Sequence, residues 1–550
     1  MRLLTAFCIA ALAIAVATPA FAAVQNIKVS GEVSARGIFM NNYDLKDESL
    51  ESTNVTWPFP GLAGAGLEIA DDDESFILST VKVGIDADLT DNVSASITLA
   101  DQTRWGDDIG GNFGDIQLNK AYITLKEFFY SPLTLKIGRQ DLTFGQGFIV
   151  GPGVFRDPNG AFPQPTDTLM DPLQLGGVLI PAIMQAAVPV SGPMGAQYSI
   201  STNYDAIRAT LDLDPWTIDG VYTVLNETDV GIVGANADEY LTGVNVGYRF
   251  DVYDAGLEGY YFYNRDDSFN STLGYVRQST ITRRGQNAAA NVDVTVPGVG
   301  SRSYEEQELH ILGIRGDIVP VENLTLNGEL AFQLGHLLDE TGPWNSTTSG
   351  GLLERDRDGL AANIEGNYTW KEVSYQPNLG LGYVFYSGEE AGNSGDFDAW
   401  DPVCKGKFFS AIRDFQAGDQ VDWLANDGTG AFGSQLYATV DQNDTAGATN
   451  SHILFVDGGL KPLEDLTLKA RYLHFWFHEE PLAGRNKNIG DEVDASLVYD
   501  YTEDVQFDLT GAWFIPGKYY DGATEYNGMT GDFRSNDLAT SVTGSVRVVF

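Results

Sequence analysis

The stretch FILSTVKVGIDADLTDNVSASITLADQTR, from Phe76 to Arg104, decides the fold. Its first half sets Ile77, Val81, Val83, Ile85 and Leu89 on one parity and Lys82, Asp86 and Asp88 on the other. A period of two is what a strand imposes on its two faces. Asp91-Asn92 is a turn signal, and alternation resumes with Val93, Ala95, Ile97 and Leu99 against Thr98, Gln102 and Arg104. Each arm is long enough to cross a bilayer, for which a tilted strand needs roughly 9 to 11 residues. A hairpin of this kind reads as one unit of a membrane β-barrel, apolar side to lipid and polar side to a lumen.

Working outward, about eighteen stretches repeat the pattern. They lie near residues 25–40, 76–90, 92–106, 115–129, 132–140, 199–213, 215–226, 237–250, 252–265, 303–317, 322–337, 353–371, 377–388, 448–462, 464–478, 488–502, 504–517 and 535–550. Connections after even-numbered strands are turn-like, as at Asp214-Pro215, Asp251-Val252, Pro320-Val321-Glu322, Pro462-Leu463-Glu464 and Thr502-Glu503-Asp504. Those after odd-numbered strands are mostly longer, and much longer near residues 41–75, 141–198, 266–302 and 389–447. Such sorting, with an even strand number and both termini on the short-turn side, predicts an all-β, single antiparallel transmembrane barrel with outward loops and no open edges. Aromatic residues recur near strand ends (Trp105, Phe128, Phe129, Trp216, Tyr260, Tyr261, Trp370, Tyr383, Phe385, Trp476, Trp513), as interfacial girdles require. In the last strand Val542, Gly544, Val546, Val548 and Phe550 share a face. This resembles the terminal strand of bacterial outer-membrane proteins, which implies a final aromatic read by the barrel insertion machinery.

The flanking features agree. Arg2, the apolar run Leu3 to Val16 and the small residues around Phe21 read as a secretory signal over residues 1–22, leaving 23–550 as the barrel. Cys404 is then the only mature cysteine, expected to be a buried or loop thiol, and an intramolecular disulfide is excluded. The longest later apolar stretch, Leu173 to Val190, is interrupted by Gly176, Gly177, Pro181 and Pro189, so no helical anchor is expected. The expected location is the outer membrane of a Gram-negative-type bacterium, in contact with lipid and lipopolysaccharide. A formal net charge of −43 excludes nucleic acid as a natural partner. No Gly-x-Ser-x-Gly elbow, His-Glu-x-x-His or phosphate-binding loop occurs, so no enzyme and no cofactor is expected. His474 and His478 share a strand face but lie about 13 Å apart by strand rise, too far to hold one metal. The carboxylate run Asp71, Asp72, Asp73 reads as a solvated loop face or a Ca²⁺ site, without the spacing of a known calcium loop.

Parity also sorts the scarce basic residues. Lys82, Arg104, Arg208, Arg249, Arg355, Arg357, Lys469 and Arg471 oppose clear apolar faces and so point into the lumen. Lys28, Arg36, Lys120, Lys136 and Arg315 are candidates with a less regular pattern. A basic ladder in a narrow lumen attracts anions. The same charges beside inward Glu32, Asp86, Asp88, Glu258, Glu329, Glu365, Asp494 and Asp508 would instead form a cross-lumen salt-bridge network that stiffens the barrel, and both readings stand.

Several segments then carry a family likeness. Leu135 to Gly145, with Gly138-Arg139-Gln140, leads into a large outer loop; Tyr383 to Glu390 precedes Gly395-Asp396-Phe397 and another long loop. Leu466 to Glu479, Gly490 to Asp494 and Trp513 to Gly517 follow in order. Together these resemble the alginate-export family of outer-membrane porins. The resemblance implies an eighteen-stranded barrel with an electropositive lumen that passes acidic polysaccharide, and it adds Arg139 to the candidates as the matching residue of the Gly-Arg-Gln segment. Parity with Leu135 and Ile137 puts Arg139 on the lipid side unless the strand bulges near Gly138. Where the family usually has Asp, this chain has Glu389. The combined expectation is a monomeric channel giving passive, anion-biased passage to an acidic exopolysaccharide such as alginate or a related uronic-acid solute. The alternatives are a general nutrient porin and a cation-binding structural or adhesive surface barrel. Any gate is expected from the outer loops, foremost 141–198, whose apolar Leu173 to Val190 suits packing in the barrel mouth.

Overall fold

The structure, a computed structural model, describes residues 26–43, 45, 74–105, 116–130, 132–152, 174–175, 178–179, 198, 201, 203–230, 235–266, 294–296, 300–302, 307–341, 351–388, 396–415, 449–480, 486–521, 525–526, 529–530 and 536–550. Eighteen strands form one sheet. They are β1 Asn26–Asn41, β2 Glu74–Thr90, β3 Val93–Arg104, β4 Gln117–Leu125, β5 Leu133–Gln140, β6 Tyr204–Leu213, β7 Trp216–Val230, β8 Ala235–Phe250 and β9 Ala255–Asp266. The second half comprises β10 Gln307–Val321, β11 Leu324–Thr341, β12 Gly351–Thr369, β13 Asn378–Tyr386, β14 Ser451–Leu463, β15 Leu466–Phe477, β16 Asn488–Asp500, β17 Val505–Pro516 and β18 Ala539–Val549. Each strand pairs antiparallel with its chain neighbour, and β18 pairs with β1. Closure of this kind satisfies every ladder within the sheet, the condition for crossing lipid. The seam continues past β18: Phe550 N–H donates to Gly31 at 3.0 Å and Gly31 N–H to Phe550 at 2.7 Å. The Phe550 ring covers Gly31, where a Cβ would lie only 2.4 Å from it.

Faces follow the period of two. Val29, Ile364, Leu381 and Leu509 are 60, 62, 58 and 52% exposed, while the intervening positions are inward. In water such exposure would cost about 25 cal/mol per Å² of apolar area, so this is the lipid face. Tyr260 departs from the expected girdle. It is inward and 6% exposed, its hydroxyl donating to Glu329, because Leu257 and Tyr261 occupy the outward parity. Turn boundaries move slightly. Pro320, Val321, Pro462 and Leu463 end strands rather than form turns, since Val321 pairs with Leu324 and Leu463 with Leu466. Register irregularities before both pairs accommodate the prolines, which lack an N–H for the ladder. The signal segment and Asp71 to Asp73 lie outside the described residues.

The apolar core lies inside the extracellular half of the barrel. Residues 141–152, which follow β5, and 396–415, between β13 and β14, fold into the lumen rather than away from it. Leu142, Phe144, Phe148, Ile149, Val150, Trp400, Val403, Phe409 and Ile412 are buried there against inward Phe262, Leu309, Tyr386, Phe455, Phe475 and Phe514. Cys404 is buried in the same core, its thiol not in a disulfide. Of the apolar segment expected to plug the mouth, Leu173 to Val190, only a short ladder of Gln174–Leu175 with Val178–Leu179 is described.

Candidate transport path

Two segments meet backbone to backbone at the plug. Val150 and Cys404 form a parallel bridge, and Gly151 N–H donates to Cys404 O at 2.8 Å. Gly406 and Lys407 both donate to Gly147 O, at 2.9 and 3.0 Å. Such proximity requires glycine: a Cβ on Gly406 would lie 2.5 Å from the Gly151 backbone.

The barrel wall then holds the plug with buried polar side chains. Arg357 on β12 donates to Asp401 at 2.7 Å, both nearly inaccessible, and its guanidinium lies 4.9 Å over Phe397. Gln333 on β11 exchanges two hydrogen bonds with the Asp401 backbone, at 2.5 and 2.8 Å. The Glu492 carboxylate on β16 accepts from the backbone N–H groups of Ala411, Ile412 and Arg413 at 2.8, 2.8 and 2.9 Å. Those donors open the short helical turn Arg413–Phe415, where unpaired N–H groups favour an anion. Within the loop Lys405 pairs with Asp414 at 3.1 Å. At its lower edge Lys407 binds Glu365, and Arg471 on β15 donates to Phe409 O at 2.9 Å. Gln333, Glu492, Lys405, Lys407 and Asp414 were not singled out from sequence as wall or plug contacts, and Asp401 was legible there only as one of the acidic loop residues. Only Glu492 and Gln333 carried a signal there, their inward parity. The loop residues lie in a segment without periodicity.

Below the plug the lumen is polar, and most of the expected basic residues have carboxylate partners. Lys82 faces Glu32 at 4.0 Å, Arg208 binds Asp219 at 2.9 Å, and Arg471 binds Asp457 at 3.1 Å. Arg315 sits between Glu258 and Glu329, and Gly145 of the plug lies against its guanidinium. Lys120 pairs with Asp141. Arg249 pairs with Asp317 at 2.7 Å beside the short turn, at the periplasmic mouth rather than within the path. Arg36 and Arg104 lie over the rings of Tyr198 and Phe76. Of Arg355 the structure describes the strand position alone. Three inward lysines near the periplasmic ends of their strands stand apart: Lys28 on β1, Lys136 on β5 and Lys469 on β15. They make no ion pair among the described residues, and the Lys136 ammonium lies 3.8 Å from the Tyr122 ring centroid.

Arg139 is a correction. It faces outward, in register with Ala121 and Asp205, and its guanidinium grips the Asp205 carboxylate at 2.9 and 3.0 Å. Gly138, with φ +122°, does not reverse the parity of the strand, so Arg139 lies on the outer rim and not in the pore.

The family model for alginate export matches residues 199–529. No curated protein matches the chain. Among solved structures, OccK2 (OpdF) of Pseudomonas aeruginosa in complex with glucuronate is 11% identical, with a TM-score of 0.47 over 96% of this chain and 98% of that one. OccAB1 of Acinetobacter baumannii is 10% identical, with a TM-score of 0.48 over 96% and 97%. The outer-membrane protein OmpT of Vibrio cholerae is 10% identical, with a TM-score of 0.35 over 96% and 99%.

Proposed function

This chain belongs to the alginate-export family, and from that premise we propose that its lumen gives passive, anion-biased passage to an acidic, uronate-containing polysaccharide or oligosaccharide. It is a channel of the outer membrane, built as a closed barrel with an apolar outer face. The observation that carries the finer reading is the set of inward lysines that make no ion pair among the described residues, Lys28, Lys136 and Lys469, spread around the wall below the plug. Each offers a carboxylate a weak site, and several weak sites in a path let a polyanion enter and leave without being trapped. Arg208, directly across from Lys136, and Arg471, the next inward position after Lys469, share their charge with Asp219 and Asp457. They extend the path toward the plug at lower field. Movement of a chain through the barrel requires residues 396–415 to swing aside, so the plug is the gate of this reading.

The test is block of single-channel current by oligouronate. The wild type should be blocked in a concentration-dependent way, and the triple variant K28E/K136E/K469E should lose block by about tenfold or more, equivalent to about 1.4 kcal/mol. Equal block in both would remove these lysines from the path. A second reading is favoured by a specific observation: Lys82, Lys120, Arg208, Arg249, Arg315, Arg357 and Arg471 all contact carboxylates. A network of that kind stiffens a barrel without selecting anions, and the protein would then be a weakly selective porin for small solutes.

A further inference from the structure

The five described histidines, His310, His336, His452, His474 and His478, all lie toward the extracellular ends of their strands on the outward parity, and two of them meet. His452 is on β14 and His478 immediately follows β15, so the cross-strand register brings together residues that sequence spacing kept apart. His452 Nε2 and His478 Nδ1 are 3.2 Å apart. The distal nitrogen of each ring faces an oxygen, at hydrogen-bond length for His452 and beyond it for His478. His452 Nδ1 is 2.6 Å from the Tyr383 hydroxyl, and His478 Nε2 is 3.6 Å from Glu479 Oε1. An imidazole N–H directed at the Glu479 carboxylate leaves the Nδ1 lone pair of His478 facing His452. An N–H on His452 Nδ1 directed at Tyr383 does the same for Nε2.

We propose that His452 and His478 form a binding site for a transition-metal ion of the Zn²⁺ or Cu²⁺ class on the outer rim of the barrel. Two facing lone pairs repel unless a proton or a cation lies between them. Two nitrogens at the usual Zn–N length of about 2.0–2.1 Å on a tetrahedral ion lie about 3.3 Å apart, close to the separation here. Orientation of each ligand through its other ring nitrogen is the outer-shell arrangement that metal-bound histidines use, and imidazole suits this class of ion. Among the described residues no third His, Cys, Asp or Glu converges on the point. The remaining positions therefore belong to water, which makes the site one of moderate affinity. Lys487, the nearby cation, is neutralised by Glu479 at 3.3 Å. Trp476 stacks on His452 with ring centroids 4.9 Å apart and planes 6° from parallel, which supplies an optical reporter.

The experiment uses the full-length mature protein, refolded in detergent without a histidine tag. Cu²⁺ should quench part of the tryptophan fluorescence saturably, with one equivalent bound per chain, and Zn²⁺ should compete. The isosteric variants H452Q and H478N keep a polar group of similar size and should each weaken binding at least tenfold, and Y383F should weaken it about tenfold. W476F should abolish the quench without changing the stoichiometry found by equilibrium dialysis. Absence of binding, or binding unchanged in H452Q and H478N shown by heat-modifiable mobility to be folded, would overturn the proposal.

Discussion

Arg357 and Asp401 carry more of the gate than any other single pair, because both charges are out of water and each is the other's counterion. Removing one partner of such a pair leaves a buried uncompensated charge, a cost of about 3–5 kcal/mol. The loop can escape that cost by leaving the lumen, since its other polar holds on the wall are hydrogen bonds to Gln333, Glu492 and Arg471 and the ion pair of Lys407 with Glu365 at its lower edge. Asp401→Ala should therefore raise single-channel conductance and lengthen open events while the barrel stays folded. Glu492→Gln, which can still accept from some of the three N–H groups, should do so more weakly. Recordings in planar bilayers separate these outcomes, and a conductance unchanged in Asp401→Ala would mean that the loop is not held by this pair. At this scale sequence was a partial guide. Parity placed Arg357, Arg208 and Arg471 inward, but not the residues they would meet. Whether an inward arginine serves a passing anion or a fixed carboxylate depends on Asp401, which sits in a loop, and on register between strands. Neither is written in the alternation along one strand. The histidine pair shows the same limit, since His452 and His478 become neighbours only through the pairing of β14 with β15.

Elements divide into strands that the sequence displays and loops that it hides. Every strand had a lipid face, and lipid enforces the period of two so strictly that all eighteen were legible to within a few residues. The exceptions have local causes, such as the strand-ending prolines and the short helical turn Phe128–Tyr130, which stops β4 early. The two segments that fill the lumen have no such pattern, because they pack irregularly on several walls at once. Length alone marked their parent loops as special, and the apolar run Leu173 to Val190 is a stronger hydrophobic signal in the sequence than the scattered Leu142, Phe144, Phe148 and Ile149. The joint between the two segments is a pair of glycines. Gly406→Val would place a side chain within 2.5 Å of the Gly151 backbone. It should push the segments apart, giving a higher conductance and faster protease cleavage within 396–415 than in the wild type. Cleavage at the wild-type rate would mean that the segments are held by the wall alone and not by each other.

For the whole molecule, closure and charge set the behaviour. Phe550 lies on Gly31, so it both seals the β1–β18 seam and presents an aromatic ring on the lipid side, 65% exposed. Deletion of Phe550 should slow assembly into the outer membrane, read as delayed appearance of heat-modifiable protein, with little change in conductance of the barrels that form. Unchanged assembly would make the residue a lipid-facing seal and nothing more. The net charge of −43 resides in a protein whose lumen contains paired ions and, among the described residues, three lysines without an ion pair. Exposed charges more than about 8 Å from a solute are largely screened at physiological salt. The field that a solute feels inside is therefore set by the wall near it, not by the total. That distinction is what the anion path depends on, and it yields the most direct test. The reversal potential of the wild-type channel, measured across a planar bilayer under a potassium chloride gradient, should have the sign of chloride preference and move toward zero when oligouronate is added. A reversal potential of cation sign, insensitive to oligouronate, would contradict the account.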